Sequence, residues 1–113
     1  MKVVDTISIP ELSVMAQNMY GNLVKAVVDL EKNCLVVDAE MHADEEQYLL
    51  ENGSTQSSLW GINLYPDKFG TDEFVEFDSM INIRPRQHNM SRDVEDESTR
   101  QQIINLVKQK VTA

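Results

Sequence analysis

Polar and apolar residues alternate in two rhythms along this chain, and the rhythms divide it into seven elements. Ser8-Ile9-Pro10-Glu11 has the form of a capping box, in which the serine hydroxyl accepts from the glutamate amide and the glutamate side chain reaches back. Pro10 falls in the first turn, where no intrahelical hydrogen bond is lost. Ile9, Leu12, Ala16, Met19 and Tyr20 follow at helical spacing and Gly21 can close the end, which predicts a helix over about 9–20. Residues 23–31 and 34–41 are β-branched and alternating, with a short polar turn at Lys32-Asn33, and predict a hairpin. Residues 43–52 begin acidic and stop at Gly53, as a short helix does. Two further strands are predicted at 59–65 and 74–84, joined through Pro66 and Gly70 as a second hairpin. Ile103, Ile104, Val107 and Val111 mark a last helix from about Glu95, capped by Asp96 or Ser98, with Lys108 and Lys110 at its C-terminal end.

The order α-β-β-α-β-β-α predicts an α+β domain. Its four-stranded sheet is mainly antiparallel, with helices packed on one face. At 113 residues the chain has room for one core only, so residues 1–113 form a single domain.

Side chains on a strand alternate between faces. The apolar faces, with Val24, Ala26, Val28, Leu35, Val37, Trp60, Ile62 and Leu64, are expected under the first and last helices. The opposite faces collect Lys25, Asp29, Asp38, Glu40, His42, Asn63, Tyr65, Glu76, Asp78, Asn82 and Arg84. A sheet covered on one side shows such alternation even when its wet face is merely solvated. Against that plain reading, five acids at cross-strand range repel one another, and Glu, Asp and Asn are poor strand formers. A bound cation, the cations Lys25 and Arg84, or a partner surface would offset the repulsion.

Charge sharpens one further segment. The net charge is -9, which disfavours duplex nucleic acid as a partner. Yet residues 84–92 carry Arg84, Arg86 and Arg92 and no acid, on the way to a helix N-terminus. Arginine forks match phosphate or carboxylate. With Asn82, Asn89 and Ser91, this loop is a candidate anion site, and its plain alternative is pairing with Asp93, Glu95 and Asp96. Lys25, Asn63 and Tyr65 extend the candidate ligand-binding set across the sheet. Glu40, His42 and Asp78 are the candidate catalytic groups of an acid–base or metal-assisted hydrolase, in which Glu40 and His42 share a strand face and Arg84 holds an anion. No ligand set with metal-binding spacing is present, and no cofactor follows from any motif. Cys34 stands alone, so no disulfide scaffold forms.

No apolar run approaches a membrane span and the first residues have no signal-like apolar region, so the expected compartment is the cytoplasm. The strand at 59–65 lacks charged guards, so it is expected inside the sheet or covered by a second chain, with a homodimer the expected assembly. Three functional readings follow: a small binding or regulatory module for an anionic ligand or a protein, the hydrolase above, and an antitoxin-like adaptor acting by association.

The strings KAVVDLEK, EMHADEEQYLLENGS, LWGINLYP and EFDSMINIRPRQHNMSRDVED resemble a family of short bacterial proteins of unknown function, over about Ser8 to Val111. The resemblance implies a stand-alone bacterial protein and transfers no site residue.

Overall fold

Three helices and a mainly antiparallel sheet form an α+β fold, described for residues 1–113 by a computed structural model. The strands of the main sheet are β1 (Lys2–Val4), β3 (Val24–Asp29), β4 (Cys34–Val37), β5 (Leu59–Leu64) and β6 (Val75–Glu76), in the order β1-β4-β3-β5-β6. A second, parallel pair joins β2 (Ile7–Ser8) to β7 (Val111–Thr112), which ties the start of α1 (Ile9–Asn18) to the end of α3 (Glu97–Lys110). The helix α2 (His42–Glu51) connects the two hairpins. The sheet thus has five strands where four were expected, because β1 pairs with the outer side of β4.

Local chemistry accounts for the element ends. The Ser8 hydroxyl accepts from the Glu11 amide at 3.3 Å. The Glu11 carboxylate returns to the serine hydroxyl, at 3.2 Å, as well as to Lys2. The Asp96 carboxylate caps α3 by accepting from the Thr99 amide and hydroxyl, both at 2.8 Å. β4 stops at Val37 because Asp38 takes a left-handed conformation, φ 69°, so its predicted extension to residue 41 does not form.

The apolar faces pack as expected under α1 and α3. Leu12 and Ala16 of α1, and Ile103, Leu106 and Val107 of α3, close over Ala26, Val28, Leu35, Val37, Ile62 and Leu64. The other face is divided. Leu49 of α2 covers Val27, Val36 and Leu59 there, with Ile81 alongside. Only the part of that face beyond the N-terminus of α2 stays polar. The expected crowd of acids is accordingly dispersed. Asp29 is buried at the hairpin turn, where it accepts from the Glu31 and Lys32 amides and from the Ser54 hydroxyl.

The long strand predicted at 74–84 shrinks to β6, Val75–Glu76. Beyond it the Ser79 hydroxyl accepts from the Ile81 amide, and Met80–Asn82 turn as a 3-10 helix. Serine and asparagine side chains offer the main chain such alternatives to a ladder. Past β6, side chains serve as the missing strand. The Asn82 side chain accepts from the Gly61 amide at 2.8 Å and donates to the Gly61 carbonyl at 2.9 Å. The Arg84 guanidinium donates to the Leu59 carbonyl. Gly61 permits this approach, since a Cβ there would lie 2.6 Å from Ser79. β5 is therefore an interior strand, between β3 on one side and β6 with these two side chains on the other.

Candidate functional site

A cavity of about 420 Å³ opens on the polar part of the sheet, beside the first turn of α2. Its floor is a row of side chains on three adjacent strands. Lys25 of β3 lies opposite Asn63 of β5, and Asn63 lies opposite Glu76 of β6. Met41, His42 and Ala43 form one wall, and Asp78, Ser79 and Arg92 another.

Asn63 is only 5% exposed. Its Nδ2 donates to Glu76 Oε1 at 2.8 Å and to the Asp78 carbonyl at 3.3 Å. Both partners are acceptors, so the amide's orientation is fixed and Oδ1 faces away from them. Oδ1 is buried without any partner. Such an atom bears the full desolvation penalty unless something donates to it. Tyr65 also donates to Glu76 Oε1, at 2.9 Å. Burial, then the hydrogen bond to that carboxylate, push the phenol above its usual value, so it remains a donor.

His42 begins α2 and is 7% exposed. Its Nε2 stands 2.7 Å from the Ile62 carbonyl. A carbonyl only accepts, so Nε2 carries the hydrogen. Burial holds the imidazole below its ordinary range, with Lys25 and Arg92 acting in the same direction. The ring is thus largely neutral at pH 7, and Nδ1 keeps an acceptor lone pair.

The charges of the cavity sort into one pair and two singles. Arg92 Nε bonds Asp78 Oδ1 at 2.6 Å. Lys25 forms no ion pair and rests its ammonium 4.9 Å from the centre of the Tyr20 ring. Glu76 likewise has no cationic partner. The first amides of α2 add a positive end, because Met41 provides no side-chain cap. Tyr20 steadies this corner by donating to the Glu40 main-chain carbonyl.

Among the residues singled out from sequence, the cavity gathers Lys25, His42, Asn63, Tyr65, Asp78 and Arg92. Glu40 stands outside it, with its side chain exposed. The Arg84–Arg92 loop is mostly scaffold. Arg84 is 8% exposed and lies 4.3 Å over the Trp60 ring. Its guanidinium donates to the carbonyls of Gln56, Leu59 and Ile81 and to the Gln87 side chain, which engages four of its five N–H groups. Asn89 is buried and donates to the carbonyls of Asn82, Ser91 and Asp93. The Ser91 hydroxyl donates to Glu95, which also accepts from the amides of Met90 and Ser91. Arg86 is exposed and lies outside the cavity. A second concavity of about 550 Å³ lies beside Trp60. Its polar lining groups Gln87, Asn89, Glu95 and Asp96 are held by internal hydrogen bonds.

Tyr20 and the α2 N-terminus escaped the strand-based reading, since neither lies on a strand. Another group it missed is Glu45, fully buried on the same face of α2 as His42 and Leu49, with neither carboxyl oxygen partnered. Burial, then Asp44, push its pKa up to about 10. The spacing His42–Glu45–Leu49 was the available signal, because it follows a helical stripe. No three His, Cys, Asp or Glu side chains converge as metal ligands would. No helix is long and apolar enough to cross a membrane.

The sequence model of one protein family, described as a protein of unknown function (DUF5674), matches residues 1–110. Nothing among curated proteins or solved structures matches the chain.

Proposed function

We propose a function for this chain, which belongs to the DUF5674 family of unknown function, from its own cavity: it is a small binding module whose ligand lies at the N-terminus of α2. The observation that carries the reading is that an unpaired lysine, the first residues of α2, uncapped by any side chain, and a buried asparagine with an unpartnered oxygen line one cavity. Lys25 and the amides of His42 and Ala43 favour an anionic group there. Arg92 supports the same wall while held by Asp78. Arg84, engaged by carbonyls, braces the sheet edge instead of contacting ligand.

The acid–base alternative keeps His42 and Asp78 beside the cavity but loses Glu40, and Asp78 is already bound to Arg92. The adaptor alternative draws on the exposed methionines Met41 and Met80 at the mouth, without a feature that selects a partner. The binding reading is tested by amide chemical-shift mapping with a mixture of small carboxylates. Shifts should cluster at Lys25, Ala43 and Asn63 and vanish in Lys25→Met. Shifts centred on residues 84–92 would refute it.

A further inference from the structure

The two single charges of the cavity, Lys25 and Glu76, determine what kind of molecule completes it. They lie in one row, on β3 and β6, with Asn63 of β5 between them. Two strand spacings separate their Cα atoms by about 10 Å. The sheet therefore keeps apart two opposite charges that would otherwise pair. Neither is neutralised by another residue. The polarity of the surroundings matches each end. Beside Lys25 are the α2 amides, which favour negative charge. Beside Glu76 lies one further acceptor, the Asp78 carbonyl, which also holds Asn63 Nδ2. The neighbouring donors, Tyr65 and Asn63 Nδ2, both go to one oxygen of Glu76, Oε1, and leave Oε2 free.

We propose that the cavity takes a compact zwitterion, with its carboxylate toward Lys25 and the first turn of α2 and its ammonium toward Glu76 Oε2. This rests on the binding reading above and adds the chemical class. The two charged side chains are rooted two strands apart, so the ligand's own charges need a spacer between them. An ω-amino acid or a dipeptide supplies such a spacer. A purely anionic ligand would satisfy Lys25 but bring its charge against Glu76, and a purely cationic one would meet Lys25. Only a molecule with both charges satisfies both ends.

The experiment measures affinities for 4-aminobutyrate, glycylglycine, butyrate and butylamine by chemical-shift titration of the intact protein. At least one zwitterion should bind about tenfold more tightly than either single-charge probe, since each end contributes a charge-assisted hydrogen bond. Glu76→Gln should bring zwitterion affinity down to that of butyrate, leave butyrate binding as tight or tighter, and keep the fold, because Glu76 is exposed and glutamine still accepts from Tyr65. Lys25→Met should abolish butyrate binding. Butyrate binding as tightly as both zwitterions, or Glu76→Gln without effect on them, overturns the zwitterion assignment and leaves an anion site. No shift at Lys25, Ala43 or Asn63 with any probe overturns the binding reading as well.

Discussion

Replacing Glu45 by glutamine should make this protein more stable at neutral pH, although it removes a charged residue type from a helix. Glu45 is fully buried, both its oxygens lack partners, and its pKa is raised from 4.5 to about 10. Burial is the main cause. Asp44 on the same helix and Asp38 beyond β4 push in the same direction, while Lys25 of β3 and the chain's amino terminus oppose. The folded state therefore holds a proton that the unfolded chain releases above its ordinary pKa. Because the folded state binds more protons, stability falls as pH rises, from the ordinary value of 4.5 up to about 10. At about 1.4 kcal/mol per pH unit, the group costs ~3 kcal/mol at pH 7 relative to pH 4.5. Glutamine keeps the shape and has no proton to take up. It leaves an unpartnered polar group much as the protonated acid does, so the two cancel. The variant should gain about 3 kcal/mol at pH 7, a sizeable share of a total stability of ~5–15 kcal/mol. The gain should shrink below ~1 kcal/mol at pH 5. Urea unfolding at pH 5, 7 and 8.5 measures this directly. Parallel pH profiles for the parent and Glu45→Gln, or a variant less stable at pH 8.5, would refute the reasoning.

Three further outcomes follow from the structure. Arg84→Ala and Asn82→Ala each leave main-chain groups of β5 without partners, so each should lose at least ~2 kcal/mol of stability in urea unfolding; a loss below ~0.5 kcal/mol would show that the edge does not depend on them. The His42 imidazole should titrate below its ordinary 6.5 by NMR, because burial lowers it. Its share of stability is then present above 6.5 and declines as pH falls from there through the folded pKa; a midpoint above 6.5 would contradict the burial argument. Sedimentation at micromolar concentration should read a mass near 12.9 kDa, since β5, the unguarded strand expected inside the sheet or under a second chain, is interior and needs no second chain to cover it; twice that mass would place a self-pairing surface at the short β1 edge or the methionine rim.

The helices were legible because each has a local start or stop: the Ser8 and Asp96 caps begin α1 and α3, and the glycines at 21 and 53 close α1 and α2. The β3–β4 hairpin was legible because its alternation is long enough to carry a period. β1, β2 and β7 have three or two residues each, too few for any pattern. The segment after Glu76 misled for a different reason. Its alternation is sound, but Ser79 and Asn82 form side-chain bonds that compete with a ladder, and no periodicity reports them. The same limit separates the site residues. Lys25, Asn63 and Tyr65 face the cavity as their strand parity requires. Arg84 keeps the right parity for a polar residue, yet Trp60 and three carbonyls enclose it. Composition shows where a charge sits in the chain and says nothing of whether its donors are already taken. Glu45 reversed the usual expectation, since an acid in the first turn of a helix ordinarily faces water.

The side-chain closure at Asn82 also determines how this fold would fail. A strand lost from a sheet edge peels residue by residue, whereas one amide group and one guanidinium release theirs together. Detachment of residues 79–84 would bare the Gly61 amide and carbonyl at once, flanked by Leu59 and Trp60. That short strip, apolar and already extended, is a template onto which a second chain can add a strand. Heating should therefore bring on concentration-dependent clumping before the helices melt, and Asn82→Ala should bring it on at lower temperature. The residue that stands in for the rest of β6 also stands guard against borrowing a strand from a neighbour.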